Sequence, residues 1–495
     1  GIGQSLVRTQ QQVSRMGKTW EYKDLKALLE PFQQTHLLAG WEDLSEEGRA
    51  RLAAQIRELD LPLIARLFRD RNLPIDIASL VERAVSPRGV RLDSEGAGLS
   101  PADAYRLGQG VLQRGEVAAL LVAGGQGTRL GFPHPKGMFP IGPISGHSLF
   151  QIHVEKVLAR SRKAGCPIPL AVMTSPATHQ ETVEFFSRHG RFGLPEEDLY
   201  FFCQGTMPSV DAATGKILLS APGDLALSPD GHGGMLAAII RSGTLEKLAS
   251  RGIKYLFYFQ VDNPLVDILS PSAIGYHIYF GSEMSTEVVA KETPFDRVGN
   301  VIEVDGRLYV VEYSDLPDEL AQKRSPDGRL LLWAGSIGVH IINVDFLFRM
   351  YEQVDALPYH LAYKKVPYYD PASGPVTPTK PNAIKFERFI FDLIPHAKNA
   401  IVIEVNAAQH FAPLKNAPGA DRDTPEHVRQ QMIALHRSWL ERNQVAVCDG
   451  VAVEISPLFA VEPDDLKGRF PPGYRITEPT FFSHTTWVSS AESRR

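Results

Sequence analysis

The segment with the clearest chemical potential is a glycine-rich stretch from Gly124 to Gly131, which directly follows an apolar run. A strand that ends in several glycines lets the main chain come close to a phosphate chain, so that amide N–H groups can bind the anion. Thr128 and Arg129 lie inside the stretch and Lys136 follows it, which adds donors for charge-assisted hydrogen bonds to phosphate oxygens. The stretch therefore predicts a phosphate-binding loop, with a simple tight turn as the alternative.

Two other phosphate-binding motifs fit the sequence less well. A P-loop requires G-x-x-x-x-G-K-[ST] after a strand, but Gln12 stands at the first glycine position ahead of Gly17-Lys18-Thr19, in a polar stretch. A dinucleotide-binding fold requires G-x-G-x-x-G and a later acidic residue, whereas Gly125, Gly127 and Gly131 are spaced G-x-G-x-x-x-G. A nicotinamide-dependent dehydrogenase is therefore the weaker interpretation.

The elements that must position this loop alternate between short apolar runs and amphipathic helical stretches from about Glu116 onward, which indicates a mostly parallel α/β sheet. Runs rich in β-branched and aromatic residues predict strands at Val117–Ala123, Leu170–Thr174, Tyr255–Val261, Thr286–Ala290, Val301–Val304, Leu308–Val311 and Ile337–Ile342. Helical periodicity predicts helices at about Ser148–Lys163, His179–His189 and Gly234–Arg251.

Three domains are expected from the change of pattern along the chain. Residues 1–110 predict a mainly helical N-terminal domain, 111–398 a catalytic core, and 399–495 a small C-terminal domain. Within the core, Asp305-Gly306 predicts a hairpin turn because this pair readily adopts positive φ angles. A last core helix is predicted near Phe386–Leu393.

Composition limits the class of protein. The 495 residues are 43% apolar and 22% charged, as in globular proteins. The net charge of −5 does not indicate a basic surface that would bind nucleic acid or an anionic membrane. The three cysteines, Cys166, Cys203 and Cys448, are widely separated, which favours a reducing, cytoplasmic location. The polar segment Gly1–Lys18 lacks the apolar region of a secretory signal.

Several motifs in order resemble those of the UDP-sugar pyrophosphorylases, and specifically the eukaryotic-type UDP-N-acetylhexosamine pyrophosphorylases. The matching segments are Leu121–Gly131 with Pro135-Lys136, Phe202–Gly205, Pro229–Gly234, Val261–Pro264, Val311–Ser314, Gln322–Ser325, Lys380–Lys385 and Pro413–Asn416. The resemblance implies an α/β fold, a Rossmann-like, glycosyltransferase-A-like nucleotidyltransferase core with a mixed sheet, an N-terminal helical domain and a small C-terminal α+β domain. It also implies transfer of uridylate from UTP to a hexose 1-phosphate, giving UDP-sugar and pyrophosphate.

The resemblance further implies residue roles. The lysines and arginine that face the phosphates are Arg129, Lys136, Lys385 and Lys415. The nucleotide-binding positions are Leu121, Ala123, Gly124, Gly125, Gly127, Thr128, Gln204 and Gly231, of which Gln204 and Gly231 match positions that bind the uracil edge. The sugar-binding positions are His232, Gly299, Glu312 and Ser336.

Asp262 follows a predicted buried strand and is the expected Mg²⁺ ligand, because this hard cation prefers oxygen and usually takes one or two carboxylates together with phosphates. A helix N-cap is the alternative role for Asp262. Nucleotidyl transfer needs no nucleophile from the protein, so we expect the site to act through positioning and charge neutralisation.

Two positions depart from the N-acetylhexosamine pattern. The family has Asn at the positions of His232 and Ser336, and both Asn residues line the sugar pocket. Loss of two amides removes hydrogen-bonding partners for an acetamido group. The Gly231-His232-Gly233 segment is instead similar to UDP-glucose and broad UDP-sugar pyrophosphorylases, so glucose 1-phosphate and other hexose 1-phosphates stay open as substrates.

Two further expectations concern the whole protein. A non-catalytic nucleotide-sugar-binding sensor is the alternative from another functional class, although a sensor has no use for a metal at the α-phosphate. We expect a monomer or a weak homo-oligomer, with neither nucleic acid nor membrane as partner.

Overall fold

The computed structural model describes residues 22–73, 76–93, 98–353 and 357–488. The α-helices in these ranges span Tyr22–Leu29, Glu46–Glu58, Leu61–Arg69, Ile77–Glu82, Pro101–Gln113, Leu149–Ala164, His179–Arg188, Met235–Arg241, Thr244–Ser250, Pro271–Tyr279, Asp318–Ala321, Val344–Tyr351, Ala407–His410 and Pro425–Arg442. No helix of these ranges has the length and apolar character needed to cross a membrane. The segment Gly1–Lys18, with its incomplete P-loop motif, lies outside the described residues.

The β-strands of the same ranges are numbered in chain order. They are β1 Gly89–Val90, β2 Val117–Val122, β3 Leu170–Thr174, β4 Leu199–Cys203, β5 Thr206–Pro208, β6 Val210–Asp211, β7 Leu219–Ala221, β8 Asp224–Leu225, β9 Leu227–Pro229, β10 Tyr255–Gln260, β11 Met284–Ala290, β12 Gly299–Val304, β13 Arg307–Glu312, β14 Ala334–Asn343, β15 His360–Lys364, β16 Tyr368–Asp370, β17 Gly374–Val376, β18 Ala383–Glu387, β19 Ile401–Glu404, β20 Ala446–Val447, β21 Val453–Ile455, β22 Arg475–Ile476 and β23 Thr480–Phe482.

The chain divides into two compact units. Of the described residues, the first contains 22–73, 206–231 and 358–389, and the second contains 76–93, 98–205, 232–353, 357 and 390–488. The predicted boundaries at 110 and 398 do not follow this division. Strands β15 and β6 both pair with β18, which brings two later segments into the first unit. Strand β19 lies beyond the predicted boundary at 398 but pairs with β1 and β11 in the large sheet.

The second unit is built on a mixed sheet with the strand order β1-β19-β11-β14-β10-β2-β3-β4, to which β12 and β13 are joined through β14. Every strand predicted from the sequence lies in this sheet. Alternate residues of β2 point into two different hydrophobic cores. Ala119 and Leu121 belong to one core, and Ala118 and Leu120 belong to the other. A strand buried on both faces reads as a continuous apolar run, which is why β2 was recognisable in the sequence. The α/β fold class with a mixed sheet is confirmed.

Two helix predictions need correction. The helix predicted over Gly234–Arg251 is two helices separated at Gly243, which has a φ of 78° that a continuous helix does not tolerate. The helix predicted near Phe386–Leu393 is wrong, because Phe386 belongs to β18 and a 3₁₀ helix follows over Ile390–His396. The turn at Asp305-Gly306 is confirmed, with φ angles of 52° and 79° between β12 and β13.

The first unit packs its front helices on small sheets. Strands β15, β18 and β6 form one sheet and β17, β16, β7 and β8 another. Its core joins Leu25 and Leu29 of the first helix, Leu52 of the next helix, and Ile384 and Phe386 of β18. The apolar face of the N-terminal helices, which the sequence pattern indicated, is therefore covered by later strands of the same unit.

Candidate functional site

The glycine-rich loop leaves the carboxyl end of β2 and folds back on itself. The amide of Lys136 donates to the carbonyl of Gly125 at 3.1 Å, and the amide of Gly127 donates to the carbonyl of His134 at 2.9 Å. A short 3₁₀ helix over Thr128–Leu130 completes the loop. These bonds hold Lys136 beside the glycines, as a phosphate-binding loop requires.

Three glycines here lie close to neighbouring residues. A Cβ on Gly124 would lie 3.0 Å from the side-chain oxygen of Gln204, and a Cβ on Gly127 would lie 2.8 Å from Phe132. A Cβ on Gly137, next to Lys136, would lie 2.2 Å from the ring of Phe150. The backbone is therefore packed too tightly for a side chain at Gly127 and Gly137, whereas a small shift of the Gln204 side chain would admit one at Gly124.

Gln204 lies against this loop because of the parallel order of the strands. Strands β2, β3 and β4 are adjacent and parallel, so their carboxyl ends meet at one edge of the sheet. Gln204 follows β4, and its main-chain amide donates to the carbonyl of Thr174 at the end of β3, at 2.8 Å. The predicted positions Leu121 and Ala123 are buried as whole residues, 0% and 2% exposed, so neither presents a side chain to a ligand.

Charged side chains gather at the same edge. Asp262 lies two residues beyond the end of β10, the other parallel neighbour of β2. The Nζ of Lys415 lies 3.3 Å from a carboxylate oxygen of Asp262. Arg129 donates to the side-chain oxygen of Asn416 at 3.1 Å. Two segments distant in sequence thus bring cations next to a single carboxylate.

Lys136 belongs to the same cluster. Burial lowers the pKa of Lys136, and the charges of Lys415 and Arg129 lower it further, whereas Asp262 opposes the shift. Three cations against one carboxylate leave the cluster with net positive charge. A polyanion is the ligand that such a cluster favours.

Asn263 fixes the segment that carries Lys415. Its side-chain oxygen accepts from the amides of Leu265 at 3.1 Å and Ala412 at 3.0 Å, and its amide donates to the carbonyl of His410 at 2.8 Å. The carbonyl of Asp262 also accepts from the amide of Leu414 at 2.8 Å. Sequence reasoning quoted Asn263 and Asn416 only as parts of motifs and assigned neither of them a role.

Replacing Asn263 with alanine should reduce turnover by more than its loss of stability explains. The change leaves buried main-chain groups without partners, at a cost of about 1–3 kcal/mol, and it releases the segment that holds Lys415. Urea unfolding and pyrophosphate release together measure the two effects. Asn443→Ala is the matched control, because the side chain of Asn443 likewise binds main-chain groups, its amide donating to the carbonyls of Trp439 and Pro463. Equal ratios of turnover loss to stability loss in both variants would contradict the role of Asn263.

Three of the four predicted sugar-binding residues come together on adjacent strands, and His232 is not among them. Gly299 of β12 pairs with Glu312 of β13 on one side and with Ser336 of β14 on the other. The hydroxyl of Ser336 accepts from the amide of Gly338 at 3.3 Å. Gly338 has a φ of 73°, and its Cα faces the side-chain amide of Gln260, the last residue of β10. A glycine inside a strand pattern is a sequence signal for a local break in strand geometry, and it could have located the positive φ angle at Gly338.

His232 is fixed by a main-chain hydrogen bond. Its Nδ1 accepts from the amide of Ile390 at 3.0 Å, and its ring lies 5.6 Å from that of Phe391. Because an amide can only donate, the neutral ring carries its proton on Nε2 and can act as a donor there.

Gly231 and Lys385 belong to the first unit and are described within it. Gly231 has a φ of 81°, and a Cβ there would lie 2.3 Å from the carbonyl oxygen of Arg388. The amide of Arg388 in turn donates to the carbonyl of Asp230 at 2.8 Å. Lys385 lies in β18 opposite Ala362 of β15. The roles of all these residues toward a ligand stay predictions.

An open α/β sheet binds ligands at the carboxyl ends of its parallel strands, and here that edge carries a glycine-rich loop, three cations and a carboxylate, which suits a nucleotide-binding enzyme that acts on phosphates. Known proteins agree with this class. The family model described as UTP--glucose-1-phosphate uridylyltransferase matches residues 106–440. The UDP-N-acetylglucosamine pyrophosphorylase of Saccharomyces cerevisiae is 38% identical over 451 residues, which are 88% of this chain and 94% of that protein.

Two further relatives extend the agreement. The UDP-N-acetylhexosamine pyrophosphorylase-like protein 1 of Homo sapiens is 36% identical over 89% of this chain and 90% of its own. The crystal structure of the uridine diphosphate N-acetylglucosamine pyrophosphorylase from Trypanosoma brucei, in complex with inhibitor, aligns with a TM-score of 0.77 and 28% identity over 91% of this chain and 95% of that one. The chain therefore belongs to the UDP-sugar pyrophosphorylase family, and it is a uridylyltransferase.

Proposed function

We propose that the protein joins UTP to N-acetylglucosamine 1-phosphate and releases pyrophosphate. The observation that carries this proposal is the cluster of Arg129, Lys136 and Lys415 around the Asp262 carboxylate, beside a glycine loop that can bind a phosphate chain. The choice of sugar rests on the similarity to the Saccharomyces cerevisiae enzyme over nearly its whole length.

The chemistry follows from this arrangement. A phosphate oxygen of the sugar 1-phosphate attacks the α-phosphorus of UTP, and the bond to the oxygen that bridges to the β-phosphorus breaks. Pyrophosphate leaves with the bonding electron pair. Arg129, Lys136 and Lys415 stabilise the charge that spreads over the phosphoryl oxygens, and they hold the two anionic substrates in line. No covalent bond to the protein is needed.

Magnesium is the proposed cofactor, with Asp262 as its protein ligand. Across the described residues, no group of three or more His, Cys, Asp or Glu side chains could hold a metal. Mg²⁺ usually keeps several waters and binds one or two carboxylates together with substrate phosphates, so a site with one carboxylate suits it. When bound, it would supply positive charge at the phosphate oxygens and reduce their mutual repulsion.

Plain hexose 1-phosphates are the second candidate substrates, for a specific reason. Ser336 and His232 stand where the N-acetylhexosamine enzymes have Asn, and the hydroxyl of Ser336 already accepts a bond from Gly338. A pocket with fewer amide partners binds an acetamido group less well. Glucose 1-phosphate is therefore the substrate to test against N-acetylglucosamine 1-phosphate.

The test measures pyrophosphate release from UTP and Mg²⁺ with the 1-phosphates of glucose, galactose, N-acetylglucosamine and N-acetylgalactosamine. We expect kcat/KM to be about tenfold or more higher for N-acetylglucosamine 1-phosphate than for glucose 1-phosphate, which corresponds to about 1.4 kcal/mol. The opposite preference would overturn the choice of sugar. Tight UTP binding without turnover of any sugar would favour a nucleotide-sugar sensor.

Two properties of the whole protein are part of the proposal. The free thiols of Cys166, Cys203 and Cys448 support a cytoplasmic location. We propose a monomer or weak homo-oligomer, which sedimentation over a range of concentrations would test.

A further inference from the structure

The segment 336–338 of β14 lies between the ends of two other strands. Strand β10 pairs with β14 as far as Tyr258, opposite His340, and β12 begins to pair with β14 at Gly299, opposite Ser336. Strand β11 occupies the other edge of β14, so β10 and β12 share one edge. The carboxyl end of β10 and the amino end of β12 therefore meet beside this segment.

The pairing of β14 is irregular at the same place. Thr286 of β11 pairs with His340 and Val288 pairs with Ser336, so two steps along β11 correspond to four steps along β14. Gly338 lies within the extra residues and has a φ of 73°. Bulges of this kind re-aim side chains and are common beside functional sites. The end of β14 that carries a predicted sugar-binding residue is therefore open to a side chain from β10.

Gln260, the last residue of β10, lies against Gly338. A Cβ on Gly338 would be 3.3 Å from both Cδ and Nε2 of Gln260 and 3.6 Å from its Oε1. The whole carboxamide thus covers the glycine, whose own amide donates to the Ser336 hydroxyl at 3.3 Å. A side-chain amide that had no assigned role therefore lies next to a predicted sugar-binding residue.

The carboxamide of Gln260 has unused hydrogen-bonding capacity. The hydroxyl of Tyr258 is buried and makes no hydrogen bond of ordinary geometry to a described residue. Burial raises the pKa of Tyr258, and the neighbouring Gln260 amide opposes this shift. The structure shows no hydrogen bond from the Gln260 side chain to any other described residue. Because a carboxamide has two donors and an acceptor with two lone pairs, it keeps both a donor and an acceptor for a ligand.

The position of Gln260 also fits the position of the phosphate cluster. Asp262 lies two residues further along the chain, so the two Cα atoms are at most about 7 Å apart. In an N-acetylhexosamine 1-phosphate the acetamido group is on the ring carbon next to the one that bears the phosphate. A sugar whose phosphate lies at the Asp262 cluster therefore has its acetamido group within reach of Gln260.

We propose that Gln260 binds the acetamido group of the sugar and so determines the preference for N-acetylglucosamine 1-phosphate. Its Nε2 would donate to the acetamido carbonyl, and its Oε1 would accept from the acetamido N–H. The hydroxyl of glucose at the same ring carbon is a single oxygen and cannot match both bonds. This inference rests on the proposed function and deepens it, because Gln260 supplies an amide that Ser336 and His232 lack.

The test compares Gln260→Met with the wild-type enzyme. Methionine has a similar length but no donor and only a weak acceptor. We expect kcat/KM for N-acetylglucosamine 1-phosphate to fall about tenfold and kcat/KM for glucose 1-phosphate to change less than about twofold. The KM for UTP should stay the same. Equal losses with the two sugars would mean that Gln260 only supports Tyr258, and would overturn the proposal.

Gln109→Met is the matched control. Gln109 is also half-buried, and its side-chain amide donates to the carbonyl of Lys163 at 3.1 Å, on the helix Pro101–Gln113. This change should leave the ratio of kcat/KM between the two sugars as it is in the wild-type enzyme. A shift of the ratio as large as that in Gln260→Met would contradict the assignment.

A double variant tests the amide separately from the packing. Ser336→Asn combined with Gln260→Met returns a carboxamide to the neighbouring strand, so the ratio in favour of N-acetylglucosamine 1-phosphate should recover severalfold. No recovery relative to Gln260→Met alone would contradict the claim that a carboxamide beside this segment sets the preference.

The inference and the proposed function fail in different ways. The preference of the wild-type enzyme tests the choice of sugar, whereas the change of that preference in Gln260→Met tests Gln260, whichever sugar the wild type prefers. If no sugar is turned over, calorimetric binding of UDP-N-acetylglucosamine and UDP-glucose gives the same ratio. An unchanged ratio overturns the role of Gln260, and absence of turnover with a changed ratio refutes the proposed function alone.

Discussion

Asp262→Asn is expected to lower turnover by about a hundred- to a thousandfold while leaving the fold intact, the scale seen when one group that stabilises developing charge is removed. Asparagine keeps the shape of the side chain but removes the charge that pairs with Lys415 and that we propose as the Mg²⁺ ligand. The Lys415 side chain is 47% exposed, so its ion pair with Asp262 contributes only about 0–1 kcal/mol to stability. Pyrophosphate release and thermal unfolding measure the two quantities.

Asp449→Asn is the control for that experiment. Asp449 is fully exposed and lies 3.5 Å from Arg437, far from any group assigned to the phosphates. Its removal should change neither turnover nor stability measurably. Near-native turnover in Asp262→Asn would mean that the metal is held elsewhere.

Lys136→Ala should also lose about a hundredfold or more in turnover, and Arg129→Ala should lose turnover in the same direction. Neither change is expected to reduce stability by a comparable amount. Burial already disfavours the charged form of Lys136, and Arg129 is exposed. Lys467→Ala is the matched control, because this exposed lysine pairs with Asp464 at 3.5 Å and with no other acidic residue in the described part of the chain. Near-native rates in either site variant would contradict the assignment.

The lowered pKa of Lys136 gives this prediction a pH dependence. As pH rises through the lowered pKa, Lys136 loses its charge and kcat/KM should fall before an ordinary lysine titrates. Over the same window the unfolded chain binds more protons than the folded one, so the free energy of unfolding attributable to Lys136 rises with pH. Lys136→Arg should move the alkaline fall of kcat/KM to higher pH, because guanidinium keeps its charge.

The placement of the loop and of Asp262 at the sheet edge was predictable because it depends on local patterns. The apolar run of β2 and the glycines after it define a strand and a loop, and Asp262 follows a second apolar run. Parallel order alone then brings these groups to one edge. The role of Asn263 was not predictable in this way, because its partners His410 and Ala412 are distant in sequence and polar contacts of that range leave no periodic signal.

The fold was less predictable where short segments pair across long distances. Phe386 sits in an apolar run too short to distinguish a strand from a helix by period, and only pairing with β15 makes it a strand. The first unit likewise depends on contacts among three separate segments. The register of Glu312, Gly299 and Ser336 depends on the hairpin turn at Asp305-Gly306 and on the pairing of β14. The sequence indicated the turn, but it did not indicate which strands pair with β14.

The composition of the first unit from three separate segments affects how the protein is made. The front helices leave the ribosome long before Ile384 and Phe386, which cover Leu25, Leu29 and Leu52 in the finished core. Domains usually fold as units during synthesis, from the N-terminus onward. Here the core of the front helices takes residues first from the segment 206–231 and then from β18, so it cannot be complete until most of the chain has been translated.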